Sequence, residues 1–316
     1  PQDNTILGIR AGASLTSGDS NTLIGNNAGD SITTGTNSTA IGQNALSSLL
    51  TGGNNVAIGQ RAYSSGTASN NVYIGNDAGT SANSGIYQIG IGVAAGNSNT
   101  GSNSIGIGWF ANRNNSATYT VSVGYRAGYS NTSGASNTNV GYQAGYQNTT
   151  NSYRTYLGYE AGNYNSGARN TGIGYRACNG YFSFGTGQGT GDNNTAVGYE
   201  ALSALNGTGA TGNTAVGKSA LGGVITSANN TALGFEAGKD LSTGANNTII
   251  GSQAGKGLNT GSGNTLLGYL AGEDLSSGVN NVAIGYEALK SETNHGRNVA
   301  IGYGALQTQN AGVHAY

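Results

Sequence analysis

The stretch "NNVAIGYEAL", residues 280 to 289, returns as "RNVAIGYGAL" at 297 to 306. It occurs earlier as "NNTAVGYEAL" (193 to 202), "NNVAIGQRAY" (54 to 63) and "NNTALGFEAG" (229 to 238). A catalytic motif normally occurs once in a domain, so a phrase repeated along a chain marks a building unit. With the glycine of "AIG" as anchor, the unit recurs from Gly8 to Gly302 in 18 copies. The copies are 16 or 17 residues apart, except for steps of 24 after Gly174 and 19 after Gly198. Ile, Leu or Val stands before every anchor, Ala stands three places after it, and Thr, Val or Ile three places before it. Disorder does not keep phase in this way.

That phase decides between two readings of an unusual composition. The 316 residues include 58 glycines, one proline and no methionine, and only 8% are charged. Abundant Gly, Ser, Asn and Thr without periodicity would describe a disordered tract. The period instead predicts an all-β chain, a β-solenoid (parallel β-roll) of about 18 coils with a mainly 17-residue repeat. Each unit is too short for a helical hairpin, and its β-branched residues suit a short strand. At ~4.8 Å per rung, 18 coils would rise roughly 80 Å. One continuous array over 1–316 is expected, a piece of a longer fibre, with a loop insertion at 178–194.

Within the unit, alternation predicts that positions −3 and −1, such as Val282 and Ile284, face a core shared with the Ala at +3. Position −2 is then expected to face outward. It is nonetheless apolar, as at Ala57, Ala196, Ala215 and Ala283. An apolar column on that face predicts lateral packing against another copy, a homo-oligomer with a trimer favoured. The anchor glycine is expected at a bend that needs positive φ or close backbone approach. Asn recurs at −4, as at Asn21, Asn230, Asn247 and Asn264, which predicts a ladder of stacked amides.

The same arithmetic limits the chemistry. A net charge of −1 lacks the basic footprint of a nucleic-acid binder, so no nucleic-acid partner is expected. No apolar run approaches the roughly 20 residues of a membrane span, so no direct membrane insertion is expected. His295 and His314 have no Cys or carboxylate at metal-ligand spacing, and the single Cys178 excludes an internal disulfide. The Gly-x-Gly strings near 185 to 191 do not lie between a strand and a helix, which weakens a phosphate-cradle reading. No catalytic residue, metal or cofactor is assigned, and Cys178 reads as buried filler.

A candidate ligand surface is the aromatic column at +1, comprising Trp109, Tyr125, Tyr142, Tyr159, Tyr175 and Tyr199. Tyr181, Phe182 and Phe184 in the long insertion join it. Stacked rings with polar tips suit a sugar or partner contact, and they equally suit stacking that only stabilises the array.

The phrase "NNVAIG" at 54 to 59, with its relatives at 280 to 285 and 297 to 302, resembles the head repeats of trimeric autotransporter adhesins. It is also similar to repeat arrays of phage tail-fibre and tail-spike proteins. The resemblance implies coils stacked into a β-roll, three chains side by side and an extracellular site on a bacterial surface or virion. It implies a fibre that spans distance and mediates attachment to a cell-surface glycan or receptor. The mainly 17-residue period is longer than that of adhesin heads. Two alternatives remain: an ice-binding β-solenoid and a polysaccharide-cleaving tail spike. The first is disfavoured because Thr at −3, from Thr195 to Thr265, would be buried. The second needs a carboxylate cluster, for which Glu160, Glu200 and Glu236 are the candidates.

Overall fold

The structure is a computed structural model that describes residues 2–82, 84–180 and 189–308. Among these residues the chain is strands and turns, without a helix: a parallel β-solenoid. It divides into two compact units, Pro1–Tyr153 and Arg154–Tyr316.

In the first unit, three-residue strands run from β1 (Thr5–Leu7) and β2 (Thr22–Ile24) to β9 (Thr138–Val140). Each pairs in parallel with the next, so that Thr5 lies opposite Thr22 and Val121 opposite Thr138. The second unit repeats the arrangement from β10 (Thr155–Leu157) to β20 (Val299–Ile301). Two of its strands, β13 (Ala204–Leu205) and β15 (Val224–Ile225), lie off this ladder and pair with each other. Register is independent of coil length. Val56 meets Val72 across 16 residues, and Thr171 meets Thr195 across 24. Residues 181–188 of the loop insertion expected at 178–194 lie outside the described residues.

The strand faces the opposite way from the sequence expectation. Position −2 is the interior: Leu23, Ala40, Ala57, Ala196 and Ala215 are fully buried. Positions −3 and −1 face outward, with Leu157 and Leu233 each 46% exposed. Alternation identifies two faces but not which one is inside; side-chain volume decides that. The interior must also hold the Ala at +3 and the residue at +7, such as Ile32, Leu49 or Leu258, all fully buried. In so thin a coil the column made mostly of Ala, Gly and Ser turns inward and the columns of Thr, Val, Ile and Leu are left outside. The Ala at +3 is buried as expected, but in a turn and not in a second strand.

Large interior residues are matched by missing ones in the next rung. Tyr73 fills position −2 of its coil, and the partner opposite it is Gly90. A Cβ on Gly90 would lie 2.4 Å from the Tyr73 ring. Tyr156 opposite Gly172 repeats the pairing.

The anchor glycine meets both requirements read from the sequence. Gly25 has φ +133, and a Cβ there would lie 2.7 Å from the Gly42 carbonyl oxygen of the next rung. The following turn places further residues at positive φ, Glu287 at 52° and Leu289 at 53° in one coil. Such non-glycine positions cost roughly 1–2 kcal/mol each. Hydrogen bonds between rungs offset that cost: the Glu287 N–H donates to the Tyr269 carbonyl at 2.8 Å, and the Leu289 N–H to the Ala305 carbonyl at 2.8 Å.

The asparagine column at −4 forms the expected ladder. From Asn194 to Asn298 in the second unit the residues are buried, and each later side-chain amide donates to the Oδ1 of the one before. In the first unit the column is mixed, with Ser38, Gln88, Ser104 and Thr120 among the asparagines, yet backbone donation persists. The Ser38 N–H donates to Asn21 Oδ1 and the Gln88 N–H to Asn71 Oδ1.

A second amide column, at +7, was not anticipated. Where other coils place Leu or Ile, the chain has Asn99, Asn115, Asn131 and Asn148, all buried. Asn131 Nδ2 donates to Asn115 Oδ1 at 2.9 Å, and Asn115 Nδ2 to Asn99 Oδ1 at 3.3 Å. The fixed spacing of these asparagines was visible in the sequence, but their polarity masked them as loop residues.

Candidate functional site

Position +1 follows the anchor bend and points away from the interior, so the aromatic rings that ten of the 18 copies carry there emerge along one corner of the coil. The rung spacing of ~4.8 Å falls within the range at which offset rings stack. In the first unit Tyr125 and Tyr142 are parallel, with centroids 5.0 Å apart and an interplanar angle of 6°. Trp109 meets Tyr125 edge-on at 5.3 Å. In the second unit Tyr159, Tyr175 and Tyr199 stack at 5.4 and 4.8 Å. A further run, Tyr269, Tyr286 and Tyr303, stacks at 5.1 and 5.0 Å. Within each unit the rings expected to form a strip are thus brought together. Tyr181, Phe182 and Phe184 lie outside the described residues.

Cations sit on this strip, which the aromatic column alone did not reveal. The Arg176 guanidinium lies 5.3 Å from the Tyr175 centroid, and Lys218 lies 5.7 Å from Tyr199 and 5.6 Å from Phe235. Arg126 lies 5.2 Å from Tyr125 and 5.9 Å from Phe110. These residues stand at +1 and +2, either side by side on one rung or on neighbouring rungs, so the pairing follows from sequence adjacency and from the register. Trp109, Tyr142, Tyr159 and Tyr199 are each exposed over 39% or more of their surface, so ring faces or edges remain open to a ligand.

Two of the three candidate carboxylates at +2, Glu160 and Glu236, are held in ion pairs. Glu160 accepts from Arg176 Nε at 2.7 Å. Glu236 accepts from Lys239 at 2.7 Å, and Lys256 stands 3.3 Å away. Hydrogen bonds from Lys239 above all, with Gln253 and Lys256, hold the Glu236 carboxyl at about 2. A general acid needs the opposite displacement. Burial pushes the Cys178 thiol up to about 12, the reverse of an activated nucleophile. His295 is bound to Glu292, its Nδ1 lying 2.8 Å from Glu292 Oε1; His314 lies outside the described residues.

Among the described residues no group of three or more His, Cys, Asp or Glu could hold a metal ion. No helix there is long and apolar enough to cross a membrane. Two shallow cavities flank the ion-paired edge of the second unit. One, of about 200 Å³, is lined by Glu200, Lys239 and Asp240; the other, of about 270 Å³, by Asp240, Lys256, Glu273 and Asp274. No family model and no curated protein matches the chain.

Proposed function

We propose that the chain is a structural, non-enzymatic segment of an extracellular fibre, of the cell-surface adhesin or phage tail-fibre kind. The fibre spans distance and mediates attachment, with three copies side by side. The carrying observation is the outward strand face. Positions −3 and −1 hold only Thr, Val, Ile and Leu in all 18 copies, without one charged residue. Parallel sheets are ordinarily covered on both faces; here the coil covers one.

A second copy suits the other face because a flat, uncharged array with one repeat per rung is complementary to itself. The three strand positions −3 to −1 span about 10 Å, so nine rungs offer roughly 430 Å² in projection, about half of the 800 Å² per partner of a standard interface. Each unit carries one such face. The correction to the strand facing therefore relocates the expected contact from the alanine column to the β-branched columns.

Sedimentation of the purified chain tests this reading. Three chains per particle are expected, and replacing Leu233, Ile250 and Leu267 together by Lys should yield folded monomers. A wild-type chain that sediments as a folded monomer would sink the proposal.

One observation favours a second reading, ice binding. Thr195, Thr214, Thr231, Thr248 and Thr265 are stacked in register and face outward, so the argument that they are buried no longer holds. Thermal hysteresis that disappears in Thr231→Tyr would establish that role; its absence in the wild-type chain removes it.

A further inference from the structure

The first unit carries a cluster that the aromatic column does not account for. Arg113 lies 4.8 Å from the Phe110 centroid and 5.6 Å from Tyr129, whose hydroxyl accepts from Arg113 Nη1 at 2.6 Å. Arg126 lies between Phe110, Tyr125 and Tyr129, within 5.9 Å of each ring. Tyr129 stacks in turn on Tyr146 at 5.3 Å. The positions involved are +1, +2 and +5 of successive rungs, which lie around the corner from the apolar strand face.

What sets these arginines apart is their missing counter-charge. Arg10, Arg61, Arg169 and Arg176 each face a carboxylate. Residues 78–159 contain neither Asp nor Glu. Arg113 and Arg126 are half-buried, their Nε atoms have no hydrogen-bond acceptor, and the Arg126 guanidinium makes no hydrogen bond among the described residues. Arg113 and Arg126 are thus held, half-buried, on aromatic faces inside an acid-free stretch whose third arginine, Arg154, is fully buried, in a protein whose net charge is −1.

From this placement we infer that the Arg113–Arg126 cluster binds an acidic saccharide, one bearing carboxylate or sulfate groups. The guanidinium is a planar fork that matches either oxyanion with two parallel hydrogen bonds. The adjoining rings, with Trp109 and Tyr142 at the corner, supply flat apolar platforms of the kind a sugar ring covers. Neither of the two cavities described above is lined by a residue of the cluster, and the ring platforms follow one another rung by rung, which fits an extended chain of sugars. This inference deepens the attachment reading and rests on it for biological purpose, while its physical content stands on this cluster alone.

The test is titration of the whole chain with four probes: a heparin hexasaccharide, a hyaluronan hexasaccharide, cellohexaose and an oligothymidylate. One or both acidic saccharides should bind, and the arm that binds identifies sulfate or carboxylate as the anion. Cellohexaose should not bind at the same concentrations. Arg113→Gln and Arg126→Gln should each weaken binding about tenfold or more, and Arg169→Gln should leave it unchanged. Arg126→Lys keeps the charge but loses the fork, and should also bind more weakly, with circular dichroism reporting that the fold is retained. The inference is overturned if neither acidic saccharide binds, if Arg113→Gln/Arg126→Gln binds as the parent does, or if oligothymidylate binds as tightly. Sedimentation of the same samples separates the two proposals. Trimers that ignore acidic saccharides sink only this one, and monomers that bind them sink only the fibre.

Discussion

Asn247 stands one rung beyond Asn230 and gives it two hydrogen bonds: both its Nδ2 and its backbone N–H reach Asn230 Oδ1 at 3.0 Å. Its own Oδ1 accepts from the backbone and side chain of Asn264 at 2.9 and 3.0 Å. One amide therefore serves two neighbours, and both contacts are buried.

Asn247→Ala should cost more than a single hydrogen bond. It leaves the Asn264 N–H and the Gly261 carbonyl without a buried partner, at about 1–3 kcal/mol for each unsatisfied group. Chemical denaturation should show a lowered midpoint. Asn247→Asp should be worse at neutral pH, because a carboxylate facing Asn230 Oδ1 has no proton to give.

Gly234→Ala would place a Cβ 2.4 Å from the Gly251 carbonyl oxygen at φ +140, against backbone of the next rung that cannot yield as a side chain would. Loss of about 3 kcal/mol or more is expected. Gly207 is the control: it has φ +74 but nothing within 4 Å, so alanine there should cost only about 1–2 kcal/mol. Equal thermal shifts for the two variants would contradict the close-approach account.

The Tyr73–Gly90 pair should behave as one unit. Gly90→Ala alone drives a methyl into the ring, at about 1–3 kcal/mol. Tyr73→Ala alone opens a cavity and should cost about 3–5 kcal/mol. In the double variant the methyl enters the space left by the ring, so the two costs should fall short of additivity by about 1–3 kcal/mol. A double-mutant cycle that closes to zero would rule this out.

Glu292 occupies the +7 place that Leu241, Leu258 and Leu275 fill in the preceding coils, and it is buried. Burial alone would raise its carboxyl, but hydrogen bonds from the His295 and Asn294 amides and the His295 ring outweigh burial and lower it. A depressed folded-state value means that the stabilisation is present above the ordinary glutamate range and is lost as pH falls through the folded value. Amide-exchange protection factors at Asn298 and Val299 should fall as pH drops below the ordinary glutamate range. Glu292→Gln should flatten that dependence.

The repeat, its strands, the anchor glycines and the asparagine ladder were legible because each imposes a fixed residue type at a fixed phase. The inward face was not. Ala57 between Val56 and Ile58 alternates equally well whichever side is the core, and only the narrow coil interior settles it. The aromatic strip was legible at +1 for the same reason as the ladder. Arg113 and Arg126 were missed because they stand at different phases, +5 and +2, and become neighbours only when the coil folds back. Asn115 and Asn131 were overlooked because an asparagine in a polar stretch reads as a turn, whereas stacked copies of it can line an interior.

Coils of 16, 17, 19 and 24 residues all deliver their strand to the same place on its neighbour. Length is thus a free variable between strands and a fixed one within them. Duplication of a whole coil would change only reach, and growth between strands would change only what is displayed there. A lineage built on this plan can adjust how far it extends and what it touches as two separate inheritances.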